Sequence, residues 1–207
     1  GRTLTKEVYF QGKLKYTENY TYTKNTTSQT FDTLKTTIGA DGTKTAGQKE
    51  TCDRYGRLIK TELTADNQTI TTSKEYDIYD NVVKETDALG NSTVYEFDVL
   101  NNQISTADAL GNTCRSEYDM AGRKISDTDA LGNKTSYTYD EMNRLVKTES
   151  PFETDTSVTK YYYDRVSNLA KEKIKNNAAG AGESYKEKDY AYDIMHNNVG
   201  VTIKGTY

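Results

Sequence analysis

The sequence predicts an all-β fold, an antiparallel meander of consecutive β-hairpin repeats that forms a long, twisted and curved ribbon. Three observations predict it. An aromatic–Asp pair recurs at intervals of 21 to 29 residues, an apolar position follows each Asp in the same register, and turn sequences separate the short segments between them. A repeat of two strands and two turns gives antiparallel hairpins side by side. Open sheets of many strands twist and coil.

The first element of the repeat is a column of residues that precede the Asp, and seven of the eight are aromatic. They are Phe31, Cys52, Tyr76, Phe97, Tyr118, Tyr139, Tyr163 and Tyr192. Alternation along a strand places a second aromatic on the same face, as with Tyr137 and Tyr139. We expect this structural column to consist of side chains that pack across neighbouring strands.

The second element is an apolar column six residues after each Asp. Its members are Ile38, Ile59, Val83, Ile104, Ile125, Val146, Ala170 and Val199. Between the two columns lies a turn, in which Asp119 precedes Gly122 and Asp140 precedes Asn143. An Asp carboxylate accepts hydrogen bonds from nearby backbone N–H groups, and Gly or Asn adopts a positive φ.

The third element is a second turn, Ala-Leu-Gly-Asn, which follows an Asp at 88–91, 109–112 and 130–133 and returns the chain to the next copy. We expect 1–30 to hold a degenerate N-terminal repeat or edge strands and 31–207 to hold the repeat array. The array is most regular over 74–149, and 176–182 reads as a loop insertion.

Composition favours a sheet with a thin core and excludes several classes of function. Apolar residues make up 34% of the chain, and Tyr outnumbers Phe by 18 to 4. The net charge of −4 gives no basic surface for nucleic acid. No apolar run is long enough to span a membrane. Two cysteines cannot form a disulfide scaffold.

The repeat resembles the YD-repeat or RHS-repeat family, which includes wall-associated, polymorphic-toxin and toxin-complex shell proteins and the teneurins. The resemblance rests on the phrases Asp-Ala-Leu-Gly-Asn-Lys-Thr-Ser-Tyr-Thr-Tyr-Asp at 129–140 and Tyr-Asp-Met-Ala-Gly-Arg-Lys-Ile at 118–125. It is most specific from about 52 to 150. It implies a partial RHS-type shell, a ribbon that in complete members spirals around a hollow interior.

The resemblance also implies partners and a location. The chain is expected to be a structural segment of a larger secreted or cell-surface protein, part of a β-shell or stalk. Its partners would be the rest of that parent protein and a C-terminal toxin enclosed by it. The Asp-Pro cleavage signature of the family's self-processing core is absent here, since Pro151 is the only proline. The encapsulating function therefore cannot be assigned to this segment alone.

Neither an enzyme nor a metal or cofactor site is expected. His196 is the only histidine and occupies a turn position, so it lacks the partners that a general base or metal ligand needs. Cys52 and Cys114 lie at different repeat positions, and a disulfide between them is the less favoured alternative. The Asp–Asn loops supply too few oxygens for calcium, so turn stabilisation is favoured.

The charged and aromatic residues outside the column leave one binding hypothesis. Arg57, Arg123 and Arg144 follow the Asp by four residues and are expected to pair with it or with a neighbouring copy's carboxylate. Tyr161, Tyr162 and Tyr190 are candidates for stacking against sugar rings. The alternative function is therefore binding of cell-wall or host glycans. Exposed sheet edges also predict edge-to-edge self-association.

Overall fold

The computed structural model describes residues 2–66, 68–152, 155–176 and 184–205, and these residues contain seventeen β-strands and no helix. The predicted all-β antiparallel meander is confirmed. The predicted insertion at 176–182 falls almost entirely on residues outside these ranges. The division of the repeats into 1–30 and 31–207 remains a prediction.

The first compact unit comprises Gly1–Phe97 with Thr106–Asn112. Each of its strands β1 to β8 pairs antiparallel with the next. The strands are β1 (Arg2–Phe10), β2 (Lys13–Asn25), β3 (Thr30–Gly39), β4 (Lys44–Cys52), β5 (Leu58–Ala65), β6 (Gln68–Tyr76), β7 (Val82–Thr86) and β8 (Ser92–Phe97). Strand β9 (Gln103–Ala107) contributes residues to both units.

The second compact unit comprises Asp98–Ser105 with Thr113–Tyr207. Its strands β10 to β17 form the same kind of antiparallel meander. They are β10 (Thr113–Tyr118), β11 (Lys124–Thr128), β12 (Lys134–Tyr139), β13 (Leu145–Phe152), β14 (Asp155–Tyr163), β15 (Leu169–Asn176), β16 (Ser184–Tyr192) and β17 (Asn198–Gly205).

Strand length follows the regularity of the sequence. Strands β7 to β12 lie within the most regular zone and have five or six residues each, whereas β2 has thirteen. The hairpin between β1 and β2 turns on Gln11 and Gly12, both with positive φ, in the two-residue manner that suits the twist of paired strands.

No hydrophobic side chain is buried among the described residues, and the buried polar ones are Glu18, Ser105 and Ser126. The accessible surface is 14460 Å². A compact protein of 23.3 kDa would expose roughly 9,700 Å². The stability of each meander therefore depends on contacts between adjacent strands rather than on a central core.

Candidate functional site

Ten turns share one hydrogen-bonding pattern. In each turn, Oδ1 of the Asp accepts hydrogen bonds from the backbone N–H groups of the residues two and four positions later. The backbone N–H of the same Asp donates a hydrogen bond to the backbone carbonyl oxygen of the residue four positions later. The ten residues are Asp53, Asp77, Asp87, Asp98, Asp108, Asp119, Asp129, Asp140, Asp164 and Asp193. The aromatic–Asp turns and the Ala-Leu-Gly-Asn turns therefore have the same geometry.

The third residue after each of these Asp residues has a positive φ. This position holds Gly56, Asp80, Gly90, Asn101, Gly111, Gly122, Gly132, Asn143, Ser167 and His196. His196 is thus a turn residue, as predicted, and its Nδ1 lies 3.2 Å from the Asn168 side-chain nitrogen.

The copy at Phe31 departs from this pattern. Asp32 lies inside β3, where it accepts a hydrogen bond from the Thr51 hydroxyl at 2.7 Å and pairs with Lys49 at 3.2 Å. The residue three positions after Asp32 is Lys35, which is not a residue type that readily adopts a positive φ. The expectation that every copy turns after its Asp is therefore wrong here, and Phe31 is exposed within the strand.

Five tyrosines of the column connect successive repeats. Each hydroxyl donates to the carbonyl oxygen five residues after the Asp of the preceding repeat. The hydroxyls of Tyr76, Tyr118, Tyr139, Tyr163 and Tyr192 lie 2.9, 3.1, 2.8, 2.7 and 3.0 Å from the carbonyl oxygens of Leu58, Gln103, Lys124, Leu145 and Leu169. These five members of the column therefore make matching contacts from one repeat to the next, whereas Phe31, Cys52 and Phe97 have no hydroxyl to do so.

Six of the eight members of the apolar column are extra residues of β-bulges, whereas Ile38 pairs directly with Lys44. Tyr139 pairs with Leu145 while Thr138 pairs with Lys147, so Val146 is the extra residue of the bulge. The same register shift occurs at five other members of the aromatic–Asp column. The extra residues of those bulges are Ile59, Val83, Ile125, Ala170 and Val199. A bulge bends its strand and increases the local twist. The sequence pattern revealed the column but not this role.

The three arginines that follow the Asp by four residues contact both their own turn and the next repeat. Arg144 donates from Nε to Asp140 at 2.7 Å and from Nη1 to the Ser167 hydroxyl at 3.1 Å, and its guanidinium lies 4.7 Å from the Tyr163 ring centre. Arg57 and Arg123 lie 4.8 and 5.0 Å from the rings of Tyr76 and Tyr139.

The ion pair of each arginine with its own Asp agrees with the expectation from sequence. Arg57 also pairs with Asp80 of the next repeat at 2.7 Å. The sequence did not predict that each guanidinium would stack on the column tyrosine of the next repeat. The recurrence of an Arg four residues after the Asp, with a Tyr before the next Asp, is the sequence signal that could have indicated it.

The cysteines do not form a disulfide. Cys52 is half-buried opposite Leu58, and burial raises the pKa of its thiol. Cys114 is exposed on β10. Both thiols are free.

The turn carboxylates have pKa values below the ordinary value. The backbone N–H of Arg144 is the main cause for Asp140, and the side-chain amide of Asn133 is the main cause for Asp129. All ten turn Asp residues shift in this direction. The ionised carboxylate is the form that accepts several donors at once.

These shifts predict acid sensitivity. A depressed pKa in the folded state stabilises the fold above the unfolded-state pKa of about 3.9, and that stability is lost as the pH falls through the lower folded values. The urea midpoint should stay constant from pH 7 to about pH 5 and fall below about pH 4. The variant Asp140→Asn should show a shallower fall. An unchanged midpoint at pH 3 would contradict the assignment.

The three glycan candidates do not lie on one face. Alternation along β14 places Tyr161 and Tyr163 on one face and Tyr162, which is 43% exposed, on the other. We call the first the tyrosine face of the second unit. It carries Tyr137, Tyr139, Tyr161, Tyr163, Tyr190 and Tyr192. The opposite face of strands β13 to β16 carries Lys147, Lys160, Lys171 and Lys173, and we call it the lysine face.

On the tyrosine face, Tyr161 lies opposite Glu172, which in turn lies opposite Lys188. Lys188 pairs with Glu172 at 3.2 Å, and both Glu172 and burial raise the pKa of Tyr190, burial being the larger cause. Tyr161 and Tyr190 therefore flank one ion pair, whereas Tyr162 is separated from them by the thickness of the sheet.

The described residues hold no cluster of three or more His, Cys, Asp or Glu that could bind a metal. In the Ala-Leu-Gly-Asn turns the Asp oxygens already accept hydrogen bonds, as in Asp129 with Leu131, Asn133 and the Asn133 amide. No helix suited to crossing a bilayer occurs in the described part of the chain.

A family model described as RHS Repeat matches residues 76–113 and 118–152. These ranges contain the five- and six-residue strands β7, β8, β9, β11 and β12. A comparison with curated protein sequences gave no match.

Among solved structures, the chain is similar to the crystal structure of TcdB2-TccC3-Cdc42, with a TM-score of 0.62 and 16% identity over 96% of this chain and 12% of that one. It is also similar to TcdB2-TccC3 without its hypervariable C-terminal region, with a TM-score of 0.59 and 17% identity over 96% and 12%.

A mutant of the Tc holotoxin pore of Photorhabdus luminescens gives a TM-score of 0.59 and 18% identity over 97% of this chain and 12% of that one. At these identities the likeness shows a shared fold. The chain spans about an eighth of the length of these structures, as the coverage of 12% indicates.

Proposed function

We propose that this chain forms part of the β-wall of a larger secreted or cell-surface protein, as a segment of a shell or stalk, because a family model described as RHS Repeat matches residues 76–113 and 118–152. One observation carries the proposal: ten turns among the described residues share one geometry, and five tyrosines connect successive repeats within the two units. Repeats of this kind, each in contact with its neighbours, suit a structural role rather than an enzymatic one.

The parent protein would enclose a C-terminal toxin within its wall. Support comes from the likeness to the structures that contain TccC3, one of them lacking a hypervariable C-terminal region. In this role the exposed and half-buried polar faces of the sheet suit a wall that has water on both sides.

Protease protection in the full-length parent protein tests the wall. The double variant Tyr139→Ala and Tyr163→Ala removes two successive inter-repeat contacts, so the enclosed segment should be cleaved at least about tenfold faster. Tyr162→Ala, on the opposite face and 43% exposed, is the matched control and should leave protection unchanged. Equal protection in the double variant would refute a wall at this position.

The second candidate function is glycan binding, favoured by the exposed ring of Tyr162 on one face and by Tyr161 and Tyr190 beside an ion pair on the other. A panel of cell-wall and host glycans titrated against the purified chain tests it. Loss of binding in Tyr162→Ala alone would assign the site to the lysine face, and loss in Tyr161→Ala or Tyr190→Ala would assign it to the tyrosine face. No binding at millimolar ligand removes this function.

Edge-to-edge association of two chains is a further proposal. Among the described residues β1 pairs with β2 and β17 pairs with β16, and when the segment is purified by itself the other edge of each strand can accept a strand of a second copy. Light scattering over a concentration series should show growth in mass. A strictly monomeric chain at all concentrations would count against it.

A further inference from the structure

The third position after the turn Asp is filled differently in the two kinds of turn. In the three Ala-Leu-Gly-Asn turns it is always glycine. In the seven turns that follow the aromatic–Asp column it is glycine only at Gly56 and Gly122, and the other five residues are Asp80, Asn101, Asn143, Ser167 and His196. A side chain is strained at positive φ, least so for Asn and Asp. Something other than local backbone preference therefore favours these side chains.

In three of these five turns the side chain at the third position accepts a hydrogen bond from an arginine of the preceding repeat. That arginine is the residue four positions after the preceding Asp, and its Nη1 donates to a carboxylate, amide or hydroxyl oxygen. The bonds run from Arg57 to Asp80, from Arg123 to Asn143 and from Arg144 to Ser167, at 2.7, 2.7 and 3.1 Å. The oxygen at the third position therefore forms a contact between repeats.

The arginine and the oxygen-bearing side chain occur together in the sequence. Each of the three arginines is followed, one repeat later, by Asp, Asn or Ser at the third position, whereas Gly56 and Gly122 follow repeats that carry Thr36 and Asn102 in place of the arginine. A lack of space does not impose glycine at Gly122, because a Cβ added there would meet only the Asn102 Oδ1, at 3.9 Å. An oxygen at the third position thus accompanies an arginine donor in the preceding repeat.

The guanidinium of Arg123 is oriented by its own turn so that one nitrogen is left for the next repeat. Its Nε and Nη2 each lie 2.7 Å from Asp119 Oδ2. Its Nη1 donates to the Asn143 oxygen at 2.7 Å and lies 3.5 Å from the Asp140 carbonyl oxygen. Hydrogen bonds from an ionised donor are stronger than those between neutral groups. Glycine in place of Asn143 would therefore deprive Nη1 of its short contact with the next repeat.

We propose that the arginine four residues after the Asp is a specificity-determining residue for the order of the repeats. It selects, as the following repeat, one whose turn presents a side-chain oxygen at the third position. The partner is another hairpin of the same kind, recognised by a carboxylate, amide or hydroxyl oxygen. The inference goes beyond the proposed wall, since it concerns which repeats can be neighbours in any series of this kind.

Such a selection addresses a weakness of the meander. Strand pairing distinguishes one neighbour from another poorly when both faces of a sheet are half-exposed and the repeats share one turn geometry. A wrong neighbour with glycine at the third position leaves the arginine Nη1 without its oxygen, whereas the right neighbour provides it. Arg57 makes the same selection in the first unit, where the Asp80 carboxylate is the acceptor.

Asn143→Gly in the purified chain tests the inference, because backbone conformation alone predicts the opposite result. Asn143 has a φ of 62°, which glycine adopts without strain, so without the arginine contact the variant would be at least as stable as the unmodified chain. With the contact, the unfolding equilibrium constant should rise about threefold, the net effect of a lost charge-assisted bond and a relieved strain. Urea unfolding followed by circular dichroism measures it.

The Arg123→Gln background isolates the contact. Gln removes the Nη1 donor, so Asn143→Gly should leave the unfolding equilibrium constant of that background unchanged or lower it. The effects of Asn143→Gly in the two backgrounds should therefore differ by at least about threefold, which measures the coupling between the two positions. With Arg123 present, Asn143→Asp and Asn143→Ser should both be more stable than Asn143→Gly, because Asp80 and Ser167 occupy the same position after an arginine.

An exchange between neighbouring turns tests the order of the repeats directly. The double variant Gly122→Asn and Asn143→Gly keeps the composition and separates the acceptor from Arg123, so its unfolding equilibrium constant should rise at least about threefold. Adding Asn102→Arg and Arg123→Asn moves the donor to the repeat that precedes the new acceptor. This quadruple variant should return to within about twofold of the unmodified chain.

Equal effects of Asn143→Gly in the two backgrounds, a gain in stability with Arg123 present, or a quadruple variant no more stable than the double variant would each overturn the inference. None of these results bears on the wall, which protease protection of the parent protein tests separately. A coupling of at least about threefold together with recovery in the quadruple variant supports the inference, even if the protection experiment refutes the wall.

Discussion

Tyr139→Ala is expected to lower the free energy of unfolding by about 3 kcal/mol, in the range found for truncation of packed aromatic side chains. The ring is half-buried on the tyrosine face, the hydroxyl donates to the Lys124 carbonyl at 2.8 Å, and the Arg123 guanidinium lies 5.0 Å from the ring centre. The substitution removes all three contacts between adjacent repeats at once.

Two further variants separate these contributions. Tyr139→Phe removes only the hydrogen bond and should cost about 1 kcal/mol. Tyr162→Ala removes a ring of the same kind from the opposite face, where no described residue accepts a hydrogen bond from its hydroxyl, and should cost less than about 1 kcal/mol. Urea unfolding followed by circular dichroism measures all three. A cost below about 0.5 kcal/mol for Tyr139→Ala would show that its ring faces solvent.

The sequence predicts the order of the hairpins and the position of the turns because each depends on residues close together in the chain. An Asp followed three residues later by Gly or Asn specifies the turn by local hydrogen bonding, as at Asp119 and Gly122. The same reasoning explains the failure at Phe31, since Lys35 lacks the conformational freedom that the turn requires.

Features that depend on pairing between strands could not be predicted in this way. The bulge at Val146 and the opposition of Lys147, Lys160 and Lys173 follow from register, which the apolar pattern specifies only weakly when both faces of a sheet are half-exposed. Tyr161 and Tyr162 are adjacent in the sequence and both are candidates for glycan binding, yet alternation along β14 places them on opposite faces.

Gly132→Val is expected to lower the free energy of unfolding by about 2 kcal/mol, because a β-branched residue is strained at positive φ. Gly132 has a φ of 87° in the turn that begins at Asp129, and its N–H donates to the Asp129 carbonyl at 3.0 Å. A Cβ added there would meet no atom within 4 Å, so the cost arises from the backbone rather than from a clash.

Gly200→Val provides the matched control. Gly200 lies in β17 without a positive φ, and a Cβ added there also meets no atom within 4 Å. Valine favours strands and restricts the unfolded chain, so this variant should be neutral or more stable by about 0.5 kcal/mol. Gly132→Asn should cost less than Gly132→Val, because Asn101 and Asn143 occupy the same turn position.

Urea unfolding of these three variants tests whether the shared turn geometry stabilises the meander. If Gly132→Val and Gly200→Val have equal effects, the positive φ at the third position after the Asp does not limit which side chain can occupy the turn. A selective loss in Gly132→Val means that the recurrence of Gly and Asn in this column reflects a backbone requirement, and that each repeat depends on its turn as well as on its tyrosine.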